Sequence, residues 1–235
     1  MAIVTQLFLL AHGSPDPRSG NAIRHFARKI QSHIGIATEV AFLDHDFPDL
    51  ASAVEISGTK ERTLVVPMLL STAFHARFDV PKAMAEAGLS RVLPPIGHPL
   101  DLLTSLVRDA GPHVIVVAAG TTDQGARQLF KEAVEISAIR SGTSAVHAFI
   151  TGPGPHIYEQ LVAMQDLDLK KVKVIPWLLA EGRLLDVLLT EAARTGVSAQ
   201  GGGLVNESSF LQHIALSIEM GLRIEFEPVI VRVAT

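Results

Sequence analysis

The 235-residue chain contains no cysteine. That excludes disulfides, thiolate nucleophiles, Cys-ligated iron–sulfur clusters and zinc sites built on thiolates. Aromatic residues make up only 5%, with a single Trp and a single Tyr. No apolar run approaches the roughly 18–20 residues that a membrane-spanning helix needs; stretches such as 114–119 are far shorter. A basic excess is missing as well. Lys plus Arg number 20 against 24 Asp plus Glu, a formal net charge of −4 with neutral His, so nucleic acid is not an expected partner. The first ten residues lack the basic flank of an export signal and run straight into Ala11-His12-Gly13-Ser14-Pro15, which reads as a strand and a turn. These absences lead to the expectation of a soluble, cytoplasmic protein without membrane contact.

What remains is an ordinary globular composition, 48% apolar and 19% charged, with 18 Gly and 13 Pro. The length suits two units of about 110 residues. Short β-branched and Leu-rich runs predict strands over 3–10, 38–43, 63–70 and 91–93, alternating with helical periods over 19–33, 49–57, 80–86 and 100–109. The pattern then restarts, with strands over 114–118, 145–150, 171–175 and 203–205, and helices over 124–141, 156–165, 184–193 and 208–220. A last run, 223–233, reads as a strand. Strands alternating with helices point to α/β architecture: two similar doubly wound parallel-sheet domains, expected over 1–110 and 111–235.

The two halves read as copies. LLAHGSPD at 9–16 lies over VVAAGTTD at 116–123, and VAFLD at 40–44 over HAFIT at 147–151, both at an offset of 107. VVPMLL at 65–70 lies over VIPWLL at 174–179 at an offset of 109. Polar residues at the strand ends of the first copy are lost in the second: His12 meets Ala119, Asp44 meets Thr151 and His75 meets Leu184. Shared residues describe a scaffold, and the unshared ones mark chemistry that only the first copy performs.

In a parallel sheet the carboxyl ends of the strands lie on one edge, where ligands bind. His12, Asp44 and His75 all fall at such ends and are expected to project from that edge. Two imidazoles and a carboxylate around a cleft suit a divalent ion such as Fe²⁺, Co²⁺ or Ni²⁺, and the same groups accept protons near neutral pH. Asp44 also has an ordinary explanation as a helix cap. His25, His33, His113, His147 and His213 read as surface or packing residues, and His98 and His156 have only a weak claim to the cleft rim. The Gly13-Ser14 turn lacks both a G-x-G-x-x-G run and a P-loop lysine, and no G-x-S-x-G is present, so nucleotide binding and serine hydrolysis are not supported.

Three segments carry a more specific signal: AHGSPDPRSGN at 11–21, VAFLDHDFPDL at 40–50 and VVPMLLSTAFHARFDVP at 65–81. Together and in this order they resemble the CbiX/SirB group of class II chelatases, which insert Fe²⁺ or Co²⁺ into sirohydrochlorin. The resemblance covers the first 110 residues or so, and the second half matches as a degenerate repeat, as in the long members of the group. It implies a cleft between two facing domains with the tetrapyrrole inside, one active site, and His12 and His75 as the metal-handling pair. Asp44 stands where many members have Glu, one methylene longer, and Thr72-Ala73 replaces a usual Ala-Gly. The implied chemistry exchanges pyrrole N–H protons for a dication, with no permanent cofactor and the metal as substrate. Arg18 and Arg77, next to the two histidines, together with Ser14, are the expected ligands for the substrate's carboxylates. A non-catalytic metal or tetrapyrrole carrier is the competing reading, and a monomer or a homodimer is expected.

Overall fold

The computed structural model describes residues 3–71, 75–164 and 167–226; the side chains of His75 and of residues 224–226 lie outside the described set. β1 (Gln6–Ala11) is buried along its whole length, as a central strand covered by helices on both faces must be. It pairs in parallel with β2 (Ala37–Phe42) on one side and β3 (Thr63–Pro67) on the other. The second sheet repeats this arrangement. There β4 (His113–Ala118) sits between β5 (Ser144–Phe149) and β6 (Val172–Trp177), and the short β7 (Ser198–Ala199) pairs outside β6. The helices of the first set are α1 (Pro17–Ile34), α2 (Leu50–Ser57), α3 (Val80–Ala87) and α4 (Leu100–Ala110). Those of the second are α5 (Gln124–Ser141), α6 (Ile157–Ala163), α7 (Arg183–Thr195) and α8 (Ser208–Phe226). Both parallel-sheet domains expected from the sequence are present.

Local sequence explains the segment that opens the site. The Asp16 side chain accepts from the Arg18 backbone N–H, Pro17 occupies the first helical position, and Gly35 closes α1 in the left-handed conformation. Ile23, Phe26, Ala27 and Ile30 recur at helical spacing on the buried stripe of α1. Asp123 starts α5 in the same way, accepting from Ala126 N–H.

The duplication extends to single hydrogen bonds. Phe42 N–H donates to Pro48 O and Phe149 N–H to Pro155 O, both at 2.9 Å. Asp44 N–H donates to His12 O at 2.8 Å, and Thr151 N–H to Ala119 O at 3.0 Å. Ser14 Oγ accepts from Asp16 N–H and Thr121 Oγ1 from Asp123 N–H, both at 3.1 Å. Gly13 and Gly120 have φ of +91° and +108°, and a Cβ on either would overlap the carbonyl oxygen of Asp44 or Thr151. Glycine is needed at both places because the loop after the central strand touches the loop after its neighbour.

The halves are tied by exchanged helices. α4 packs against α5, β4 and β6 of the second sheet, and α8 comes back from the second half to pack against α1. Phe26 of α1 and Phe210 of α8 meet at 5.4 Å between ring centres. Both are fully buried, and each burial contributes roughly 2–3 kcal/mol. One apolar core therefore runs from Leu7, Leu9 and Phe26 to Val114, Val116 and Trp177.

Three sequence expectations change. The strand at 91–93 is a single bridge between Val65 and Val92, because Pro94 and Pro95 follow and offer no N–H to extend a ladder. The strand at 203–205 is a tight 3₁₀ turn, Leu204–Asn206. Leu204 and Val205 are buried and donate to Leu178 O and Leu179 O, which gives them a strand's apolar signature without its geometry; the true edge strand is β7. The strand at 223–233 starts instead as the last turn of α8, where Leu222 still packs on the core. Residues 227–233 lie outside the described residues.

Candidate active site

Crevices in parallel sheets open beyond the carboxyl ends of the strands, where the strand order reverses. The orders β2-β1-β3 and β5-β4-β6-β7 each place that reversal at the central strand. The two reversal points share one cavity of about 1010 Å³. Its first wall is formed by residues 11–15 after β1 and 68–71 after β3, and its second by 118–122 after β4 and 177–185 after β6.

His12 and Ser14 both line this cavity. His12 Nδ1 contacts the Gly13 carbonyl at 3.2 Å, and since a carbonyl can only accept, Nδ1 is the protonated nitrogen in this contact. Facing them in the second copy are Ala119 and Thr121. Of the His75 position the backbone is described, as the first residue of a π-helical turn (His75–Asp79); its side chain, like Thr72 and Ala73, lies outside the described residues. Arg77 is exposed on that turn, away from the cavity lining.

Asp44 lies one strand over from His12, bonded to it through the backbone. Its carboxylate is 64% exposed; it accepts from His45 N–H at 2.7 Å, and its other oxygen is 3.5 Å from His45 Nε2. His45 adopts a φ of +61°, and its ring centre is 6.1 Å from that of His12. Among the described residues, no group of three or more His, Asp or Glu is placed to hold an ion.

Arg18 precedes the lining residue Ser19 and is already engaged. Its guanidinium donates to Asp16 at 2.7 and 3.1 Å, and to Asp186 of α7 in the second half through two further bonds. Bonding to Arg18 holds both carboxyls below their usual range and keeps the guanidinium protonated more firmly than usual. Arg183, at the start of α7, lines the cavity itself.

The structure also separates two histidines whose sequence context supports only a weak claim to the cleft rim. His98 lines the cavity between the rings of Phe130 and Trp177, at 5.2 and 6.0 Å between centres. Burial pushes its pKa down to about 4, so it is neutral at physiological pH. Trp177 occupies the place that Met68 fills in the first half, and both line the cavity. His156, by contrast, is a helix cap: its Nδ1 donates to Phe149 O at 2.9 Å and its N–H to Glu159 at 2.8 Å. The loss of polarity between copies, which singled out His12, holds for His98 too. Gly97 N–H donates to Leu69 O as Leu204 N–H does to Leu178 O, so the residue that answers His98 is Val205.

Comparison with known proteins matches this arrangement to one family. A family model described as CbiX matches residues 6–107 and again 113–226. The chain is 23% identical over 212 residues to the sirohydrochlorin ferrochelatase of Bacillus subtilis (strain 168), covering 80% of this chain and 79% of that protein. It is 23% identical over 202 residues to the sirohydrochlorin cobaltochelatase of Priestia megaterium, covering 76% and 65%. Among solved structures, SirB from Bacillus subtilis with Fe³⁺ superposes with a TM-score of 0.77 at 17% identity, over 95% of this chain and 97% of that one. A CbiX described as the terminal enzyme of sirohaem biosynthesis in denitrifying bacteria gives 0.69 at 22% identity, over 92% and 98%.

Proposed function

The chain belongs to the CbiX family, and from that premise we propose that it is a sirohydrochlorin chelatase, a lyase-class enzyme that inserts Fe²⁺ or Co²⁺ into the tetrapyrrole for sirohaem or cobalamin synthesis. The observation that carries this reading is the shared cavity of about 1010 Å³ with His12 at its wall, in a chain matched to the family across both repeats. Ferrochelatase and cobaltochelatase relatives match at the same 23% identity, so the metal is to be decided by assay.

Insertion exchanges two pyrrole protons for a dication. The chain must therefore supply a ligand that holds partly dehydrated metal loosely, and then a base. His12 and His75 do both in turn: each binds the ion through a neutral nitrogen, passes it on, and takes up a proton. A closed set of four ligands would trap the ion. Asp44 assists from the adjoining strand end as a carboxylate that attracts the cation. Ser14 and Arg18 are assigned to the substrate's carboxylates; Arg77, exposed away from the cavity lining, is not. For Arg18 this means exchanging Asp186 for a substrate group of the same chemistry. The first 110 residues thus supply metal handling and the remainder the opposing apolar wall. Both walls are in one polypeptide, so a monomer suffices, and no described helix is long and apolar enough to span a membrane; the cytoplasm is the assigned location.

The test mixes purified protein, sirohydrochlorin and Co²⁺ or Fe²⁺ and follows the change in tetrapyrrole absorbance against the spontaneous rate. Catalytic turnover supports the reading. Stoichiometric binding without acceleration would convert the protein into a carrier, and no interaction with sirohydrochlorin would end the proposal.

A further inference from the structure

His98 is a histidine for which the fold itself gives no reason. Val205 answers it in the second half and is only 2% exposed, so the architecture builds this position with an aliphatic side chain. Among the described residues the buried Nδ1 of His98 has no hydrogen-bond partner, and an imidazole nitrogen buried without one costs stability. Trp177 supplies a second, independent observation. Its indole N–H can only donate, the side chain is 2% exposed, and Nε1 too lacks a partner among the described residues. The two rings line the same cavity with centres 6.0 Å apart. Phe130 and Phe149 complete this stretch of wall. Two polar nitrogens, each closed off from water, are thus left over in an otherwise apolar stretch of the cavity wall.

We propose that His98 contacts the substrate: its imidazole hydrogen-bonds a peripheral carboxyl group of the tetrapyrrole and so fixes which edge of the macrocycle enters first. This rests on the chelatase reading above. Because burial keeps the ring neutral, it offers a donor without adding a positive charge that would repel the incoming metal ion.

The full-length wild type and the variants His98→Val and His98→Asn are titrated with sirohydrochlorin. Emission of Trp177, the single tryptophan, gives Kd from the midpoint of quenching, and Co²⁺ insertion gives KM and kcat. His98→Val is expected to raise Kd and KM about tenfold, the loss of one hydrogen bond, with kcat little changed and the melting temperature unchanged or raised. His98→Asn, which retains a donor close to the Nδ1 position, is expected to recover most of the affinity. His98→Leu is the second apolar variant should the valine one fail to fold. Unchanged Kd in the apolar variants overturns the inference. So does an Asn variant as weak as they are, because packing alone would then explain the loss. A wild-type protein that does not bind sirohydrochlorin overturns the chelatase reading first and this inference with it.

Discussion

Arg18 of α1 and Asp186 of α7 are bonded side chain to side chain, so one guanidinium ties the first half of the chain to the second. Both groups are about half exposed, so the pair contributes little to stability. Its interest is that it occupies the cation proposed above for the substrate's carboxylates.

Releasing that cation should favour binding. Asp186→Asn is expected to change stability by less than about 1 kcal/mol while lowering KM for sirohydrochlorin a few-fold. Arg18→Ala should raise it. Michaelis analysis at low ionic strength distinguishes the two, and identical KM values in both variants would remove Arg18 from substrate binding.

The metal-handling assignment is tested at its centre by His12→Ala and His75→Ala. Each is expected to lower the insertion rate at least about 100-fold, the scale of a lost proton acceptor. Circular dichroism and tetrapyrrole affinity should stay near wild type. Near-normal turnover in both variants would withdraw the pair.

Gly13 and Gly120 make the opposite kind of prediction, since they are equivalent in architecture but not in chemistry. Alanine at either must adopt a left-handed backbone and displace the carbonyl of Asp44 or Thr151. Each substitution should cost about 2–3 kcal/mol, read as a lower urea midpoint. A cost confined to Gly13 would contradict the view that the two turns carry the same structural load.

Stability should also depend on pH in a defined window. Burial lowers His98 from its ordinary 6.5 to about 4, and it lowers His147 and His213 as well. The folded state therefore holds these protons less tightly than the unfolded chain. Their contribution is complete above pH 6.5 and is lost as pH falls toward 4, by roughly 2 kcal/mol for His98 alone at pH 5. Asp16 and Asp186 are held below 3.8 and titrate under this window. Urea unfolding at pH 7 and pH 5 should show the loss, and His98→Val should reduce it; a flat profile in the wild type would refute the assignment.

Much of this architecture was legible in the sequence because strand ends are punctuated. The passage from LLA to HGSP marks where β1 stops, and the repeat at constant offset shows which polar residues one copy has and the other lacks. His12 was found in that way; Ser14, which answers Thr121, came in through the motif that carries the resemblance. His98 was not, because it follows a Pro-Pro-Ile-Gly loop without periodicity, and the rings that enclose it, Phe130 and Trp177, come from the other half of the chain. Arg18 was assigned from its position beside a motif; its bond to Asp186 joins residues far apart in sequence. Helical period also reveals that α4 and α8 have an apolar stripe but not which sheet that stripe meets, and both cross to the opposite half.

That crossing limits how the molecule can be taken apart. A fragment ending near residue 110 would carry α4 without the sheet it covers and would leave bare the face of α1 that α8 shields. Exposed apolar surface of that kind promotes aggregation. The first half is thus not a detachable module. Swinging the lobes apart would have to break the packing of α4 and α8 on the opposite half.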